Sequence, residues 1–121
     1  MLLSSGAALA SSPLSGGYAG AKRTQIFIAN NSQKESDRLG LGLRFMAIAP
    51  RIVPDTDLGK YAITGYSRYL GISADEFVRG MAVPPTARIV ATAVIELVLN
   101  PDRSLGDVFI VSGKGVEAVP Q

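Results

Sequence analysis

The sequence predicts an α/β fold of about three parallel strands with flanking helices, and two observations carry that expectation. Two compact apolar runs, Leu43–Ile48 and Val108–Val111, have the unbroken character of strands buried on both faces, as parallel strands are. Before and between them lie longer segments whose apolar residues recur at helical spacing. Strand and helix in alternation imply a parallel sheet joined by right-handed crossovers. A length of 121 residues supports one domain with a real core and not two.

The elements follow in order. Met1-Leu2-Leu3 reads as the end of an apolar strand, and the stretch Ser4–Gly17 that follows is mostly Ser, Gly, Ala and Pro. Side chains that small suit a loop where backbone approaches another group closely. From Tyr18 to about Leu39 the pattern is helical, with Ala21, Ile26, Ile28 and Ala29 apolar and a solvated second half of Lys34, Glu35, Asp37 and Arg38. Gly40 and Gly42 supply its stop. Leu43–Ile48, ended by Pro50, is the second strand. A loop over Arg51–Gly59 contains Thr56. Helices are expected over Lys60–Leu70 and Ser73–Arg79, the latter opening with a capping box formed by Ser73 and Glu76.

Pro84-Pro85 opens the last helix, which runs to about Leu99 with Ile89, Val90, Ala93, Val94, Leu97 and Val98 at helical spacing. Its β-branched content would also suit a strand, but its length and spacing favour helix. Asn100-Pro101 ends it. Gly106-Asp107 leads into Val108–Val111, and Ser112–Gly115 closes that strand. The tail to Gln121 carries no pattern.

Composition narrows the chemistry. The chain is 47% hydrophobic and 18% charged, with a formal net charge of +2. Two excess basic residues, scattered along the chain, give too little field for a nucleic-acid or membrane partner. There is no cysteine and no histidine. Disulfides, thiolate nucleophiles, Ser-His-Asp triads and Cys- or His-ligated metals are therefore excluded, and no metal site is expected. Any general acid or base must be Tyr, Lys, Asp or Glu. No apolar run approaches the ~20 residues of a membrane span. The opening Met1–Ser12 has no positive n-region, and Ser4-Ser5-Gly6 interrupts its apolar run, so a cytoplasmic protein is expected.

Tyr18 and Lys22 stand four residues apart at a helix start, which places both side chains on one face. An ammonium beside a phenol favours the phenolate and so suits proton transfer. The bland alternative is a surface tyrosine beside a solvated lysine. Context favours the chemical one. Ser5 lies thirteen residues before Tyr18, directly after the strand end, with Pro13 between. This order of Ser, Pro and Tyr-x-x-x-Lys resembles the short-chain dehydrogenase/reductase family. Downstream, Leu43–Ile48 running into Ala49-Pro50, then Thr56-Asp57-Leu58, then Val108–Gly115 continue the resemblance over essentially the whole chain.

The resemblance implies a partial Rossmann-like, doubly wound parallel sheet. Residues 1–121 would be a single truncated domain, the C-terminal catalytic half of an NAD(P)-binding dehydrogenase without its N-terminal dinucleotide-binding half. Met1 then reads as an internal methionine of a longer strand. The implied activity is hydride transfer between NAD or NADP and a small-molecule alcohol or ketone. By resemblance, Tyr18 is the general acid or base. Lys22 favours its phenolate and binds the nicotinamide ribose, and Ser5 holds the substrate oxygen. Pro50, Ile52 and Thr56, with Tyr18 and Lys22, contact the nicotinamide end of the cofactor. Homo-oligomers are common in the family, and the segment of about Lys60–Pro85 would set the substrate.

The chain departs from the family pattern in three places. Arg51 follows Pro50 where glycine is usual, and the loop to Thr56 is slightly long. The glycine-rich dinucleotide fingerprint does not occur, since Gly16-Gly17, Gly40/Gly42 and Gly113/Gly115 lack its strand-turn-helix context with a downstream acid. Three readings follow: a fragment inactive on its own, a non-catalytic remnant acting as a binding module, or a small enzyme that recruits its missing half from another chain. The first is expected.

Overall fold

A computed structural model describes residues 1–100, 102 and 106–120. Pro101, expected to end the last helix, lies outside the described residues. The elements are β1 (Leu2–Leu3), a 3-10 turn (Gly6–Ala8), α1 (Gly16–Leu39), β2 (Ala47–Pro50), α2 (Asp57–Leu70), α3 (Ala74–Arg79), α4 (Ala87–Leu99), β3 (Val108–Ser112) and β4 (Gly115–Ala118). The fold is α/β, with one mixed sheet in the order β1-β2-β3-β4. The first three strands are parallel and β4 lies antiparallel against β3.

The fourth strand corrects the expected count of about three and the expectation of an all-parallel sheet. It forms because Gly115, at φ 105, takes a backbone conformation that side chains disfavour, and so returns the chain within two residues. Ser112 Oγ accepts from Lys114 N at 3.2 Å inside that turn. Pairing sets Val116 beside Val111, whereas Glu117 and Ala118 are exposed. A strand so little buried leaves no apolar run to read.

β2 is also displaced from the expected Leu43–Ile48. The backbone of Leu43 and Phe45 is not paired to a strand; it is held by side chains of α1. Ser36 Oγ donates to Leu43 O at 2.9 Å and accepts from Leu43 N at 3.1 Å. Gln33 Oε1 accepts from Phe45 N at 2.7 Å. The buried stripe of α1 accordingly runs through Ile26, Ala29, Gln33 and Ser36, while Ile28, expected on the apolar side, is exposed.

Helices cover both faces of the sheet. The register sets Ala47 beside Val108 and Ile48 beside Phe109. Ala47 and Val108 pack on Ile26 and Ala29 of α1. On the opposite face Met46, Ile48, Phe109 and Val111 pack on Ala93 and Leu97 of α4. Burying a side chain the size of Phe109, 1% exposed, contributes on the order of 2–3 kcal/mol in apolar transfer.

Helix ends follow the expected chemistry. Gly40 (φ 63) and Gly71 (φ 70) close α1 and α2 in the left-handed conformation. Ser73 caps α3, its Oγ accepting from Glu76 N at 3.1 Å. α2 begins three residues earlier than expected, at Asp57, because Thr56 is its N-cap. α4 begins at Ala87, capped by Thr86, with Pro85 buried ahead of it.

Candidate functional site

The carboxyl ends of the parallel strands β1, β2 and β3 share one edge of the fold, and the loops leaving them are bound together. Ser4 N donates to Ile48 O at 2.7 Å, and Arg51 N donates to Val111 O at 2.9 Å. A Cβ at Gly6 would lie 3.4 Å from Pro50 O and 3.5 Å from Arg51 Cα, so the first loop passes tightly over the end of β2. Arg51 thus faces a glycine across the crossing.

Ser4 is buried, and its Oγ donates to Lys22 O at 2.7 Å, which fixes α1 to the end of β1. Lys22 Nζ donates to Leu3 O at 3.0 Å and lies 5.7 Å from the centroid of the Tyr18 ring. The pair therefore sits side by side on α1, against the end of β1. Tyr18 is 42% exposed and open to a ligand. Ser5, half-buried, caps the 3-10 turn by accepting from Ala7 N at 3.2 Å. That leaves its hydroxyl hydrogen to donate.

Among the described residues no hydrogen bond joins the remaining sequence-derived residues to the pair. Pro50 ends β2 and Ile52 is half-buried in the loop after it. Thr56 Oγ1 donates to Val53 O at 2.8 Å and accepts from Gly59 N at 3.0 Å. Its hydroxyl hydrogen is spent on the cap of α2, and only a second lone pair is left for a ligand. Among the described residues the structure brings Tyr18, Lys22 and the end of β1 together, with Ser5 two residues beyond Leu3; it makes no hydrogen bond from Ile52 or Thr56 to them.

Lys22 offers an ammonium and Ser5 a free hydroxyl at the strand ends. Gly16 and Gly17 do open α1, but β1 ends well before them, and a Cβ at either would meet nothing within 4 Å. They make no close packing of the kind a phosphate-binding glycine turn requires. Among the described residues an open groove of about 620 Å³ lies on α2 beside Tyr61 and Arg68, and a depression of about 190 Å³ between α4 and β4; neither is lined by Ser5, Tyr18 or Lys22.

Sequence reasoning missed several residues that shape this edge. Gly59 and Gly113 are the tightest approaches, where a Cβ would come within 1.8 Å of Val53 O and 2.6 Å of Val83 O respectively. Asp55 accepts from Ala87 N with both carboxylate oxygens, at 3.1 and 3.3 Å, and ties the loop after β2 to the start of α4. Ser12 Oγ and Tyr66 Oη, 2.8 Å apart, join the first loop to α2. The Asp-Thr-Asp run at 55–57 was a readable cap signal; the Ser12–Tyr66 pair, 54 residues apart, left none. No helix among the described residues is long and apolar enough to cross a membrane. No protein-family model, curated protein or solved structure matches the chain.

Proposed function

We propose that this chain is the proton-transferring half of an NAD(P)-dependent oxidoreductase of the short-chain dehydrogenase/reductase kind, acting on an alcohol or ketone. The observation that carries this reading is the Lys22 ammonium, held 3.0 Å from Leu3 O and 5.7 Å from the Tyr18 ring at the carboxyl end of a parallel strand. Helices on both faces of three parallel strands support the finer description of the sheet as Rossmann-like.

In this reading Tyr18 Oη gives a proton to the carbonyl oxygen of the substrate, or takes it back in the reverse direction. The neighbouring ammonium of Lys22 stabilises the phenolate left behind. Ser5 donates its free hydroxyl hydrogen to the same oxygen and holds it in line with Tyr18. The dinucleotide would supply the hydride. Pro50, Ile52 and Thr56 would border its nicotinamide. No glycine fingerprint occurs in these residues, so the pyrophosphate would be held by another polypeptide segment, and the chain alone is expected to be inactive. A cytoplasmic location and self-association accompany this reading.

A second reading, a non-catalytic binding module, draws on the apolar residues that α1 and α4 leave uncovered: Phe27 is 70%, Ile95 59%, Val98 63% and Leu99 75% exposed. Titration of the ¹⁵N-labelled chain with NADPH separates the two. The oxidoreductase reading expects amide shifts confined to Ser5, Tyr18, Lys22 and the 50–56 loop, lost in Lys22→Ala. Shifts elsewhere, or none at saturating ligand, favour the binding module.

A further inference from the structure

We propose that the α2–α3 hairpin is a flap over the loop between Ser5 and Tyr18, latched by the Ser12–Tyr66 hydroxyl pair. The hairpin is tied to itself more than to the body. Tyr66 stacks on Phe77, with ring centroids 5.9 Å apart and planes at 4°, while α3 buries no residue and α2 buries only Gly59, Ile63 and Ser67. Its ends are fixed. Thr56 and Val53 hold the first turn of α2, and Gly113 N donates to Val83 O at 2.8 Å beyond α3.

Between those hinges the hydrogen bond that reaches the first loop is Ser12 Oγ to Tyr66 Oη at 2.8 Å. Ser12 Oγ also bonds Ser15 Oγ at 2.7 Å, and Ser15, buried, is the N-cap residue of α1, one turn ahead of Tyr18. A second, independent feature marks the same contact. Leu14 is held at φ 66, a left-handed conformation that a side chain disfavours, with its Cδ1 4.0 Å from where a Cβ on Gly65 would lie. Such strain persists where the surroundings over-determine it, and it collects at switching segments. The closed latch holds the strained loop beside α2; opening it frees the segment that joins Ser5 to Tyr18 and so lets the spacing of those two side chains change, Tyr18 being already exposed with the latch closed. That consequence rests on the proposed proton-transfer site, while the latch itself does not.

Hydrogen exchange of the full chain, read by mass spectrometry, tests the latch without cofactor or substrate. One net hydrogen bond corresponds to about a fivefold change in opening. Tyr66→Phe and Ser12→Ala should each raise exchange over residues 57–79 and 9–15 by about that factor, with β2 and β3 unchanged. The double variant should match Ser12→Ala, which already removes the latch bond together with the Ser12–Ser15 bond. Thr64→Ala, which removes a hydroxyl bonded only within α2, should leave both segments at the parent rate. Unchanged exchange in Tyr66→Phe, or an equal rise in β2 and β3, would overturn the latch. A failed NADPH titration with the expected exchange pattern would remove the oxidoreductase reading and leave the flap in place.

Discussion

Gln33→Ala should be among the most damaging single changes on α1, although it alters a polar residue in a half of the helix that reads as solvated. Gln33 is 4% exposed. Its Oε1 accepts from Phe45 N at 2.7 Å, and its Nε2 donates to Asp37 Oδ1 at 2.8 Å and to Leu43 O at 3.3 Å. Truncation leaves the Phe45 N–H without its acceptor, which costs about 1–3 kcal/mol. The lost methylene packing adds about 1 kcal/mol. Leu43 O keeps its bond from Ser36 Oγ, so the total is about 2–4 kcal/mol. At about 2.1 cal/mol/K of unfolding entropy per residue, that lowers the Tm by roughly 8–16 °C. The assay is paired thermal and urea unfolding, with amide exchange at Phe45 as the local probe. Ser36→Ala combined with Gln33→Ala should cost about 1 kcal/mol more than the sum of the singles, because only the double variant orphans Leu43 O. A Gln33→Ala chain within about 0.5 kcal/mol of the parent, with Phe45 N–H still protected, would refute this account of the segment before β2.

The glycines divide sharply. Gly59→Ala should prevent stable folding, since its Cβ would collide with Val53 O at 1.8 Å, whereas Gly17→Ala, with open space around it, should stabilise α1 by about 0.5–1 kcal/mol; circular-dichroism melts of the two variants check this. Thr56→Ala should lose about 1–2 kcal/mol by uncapping α2 while Thr56→Ser stays within a few tenths, as measured by urea midpoints. Phe109→Ala, in the face packed on α4, should cost about 3–5 kcal/mol and yield a chain unfolded or nearly so at 37 °C by near-ultraviolet dichroism.

What the sequence made legible follows from where the information is local. Both strands of the core, the stop at Gly40 and the cap at Ser73 each rest on residues next to one another in the chain. The start of β2 was misplaced because its backbone partners, Gln33 and Ser36, lie on a different element. Their polarity marked them as surface when they are buried satisfiers of backbone groups. β4 was missed because a strand exposed on one side and opened by a single glycine has no apolar signature. At the site, Tyr18 and Lys22 were legible from spacing on one helix. The latch from Ser12 to Tyr66 was not, because nothing local fixes a contact between loop and helix across that separation.

The proton-transfer reading makes a quantitative demand on ligand size. If the chain holds only the nicotinamide-ribose end, reduced nicotinamide mononucleotide and NADPH should bind with the same weak affinity, about millimolar, equivalent to only about 4 kcal/mol. Comparative ¹⁵N-shift titrations of the two ligands measure this. Equal dissociation constants within about threefold, with shifts at Ser5, Tyr18 and Lys22 that Lys22→Ala abolishes, are the predicted result; each 1.4 kcal/mol of extra binding would appear as tenfold. NADPH binding a hundredfold tighter than the mononucleotide, or shifts that ignore Lys22→Ala, would contradict it.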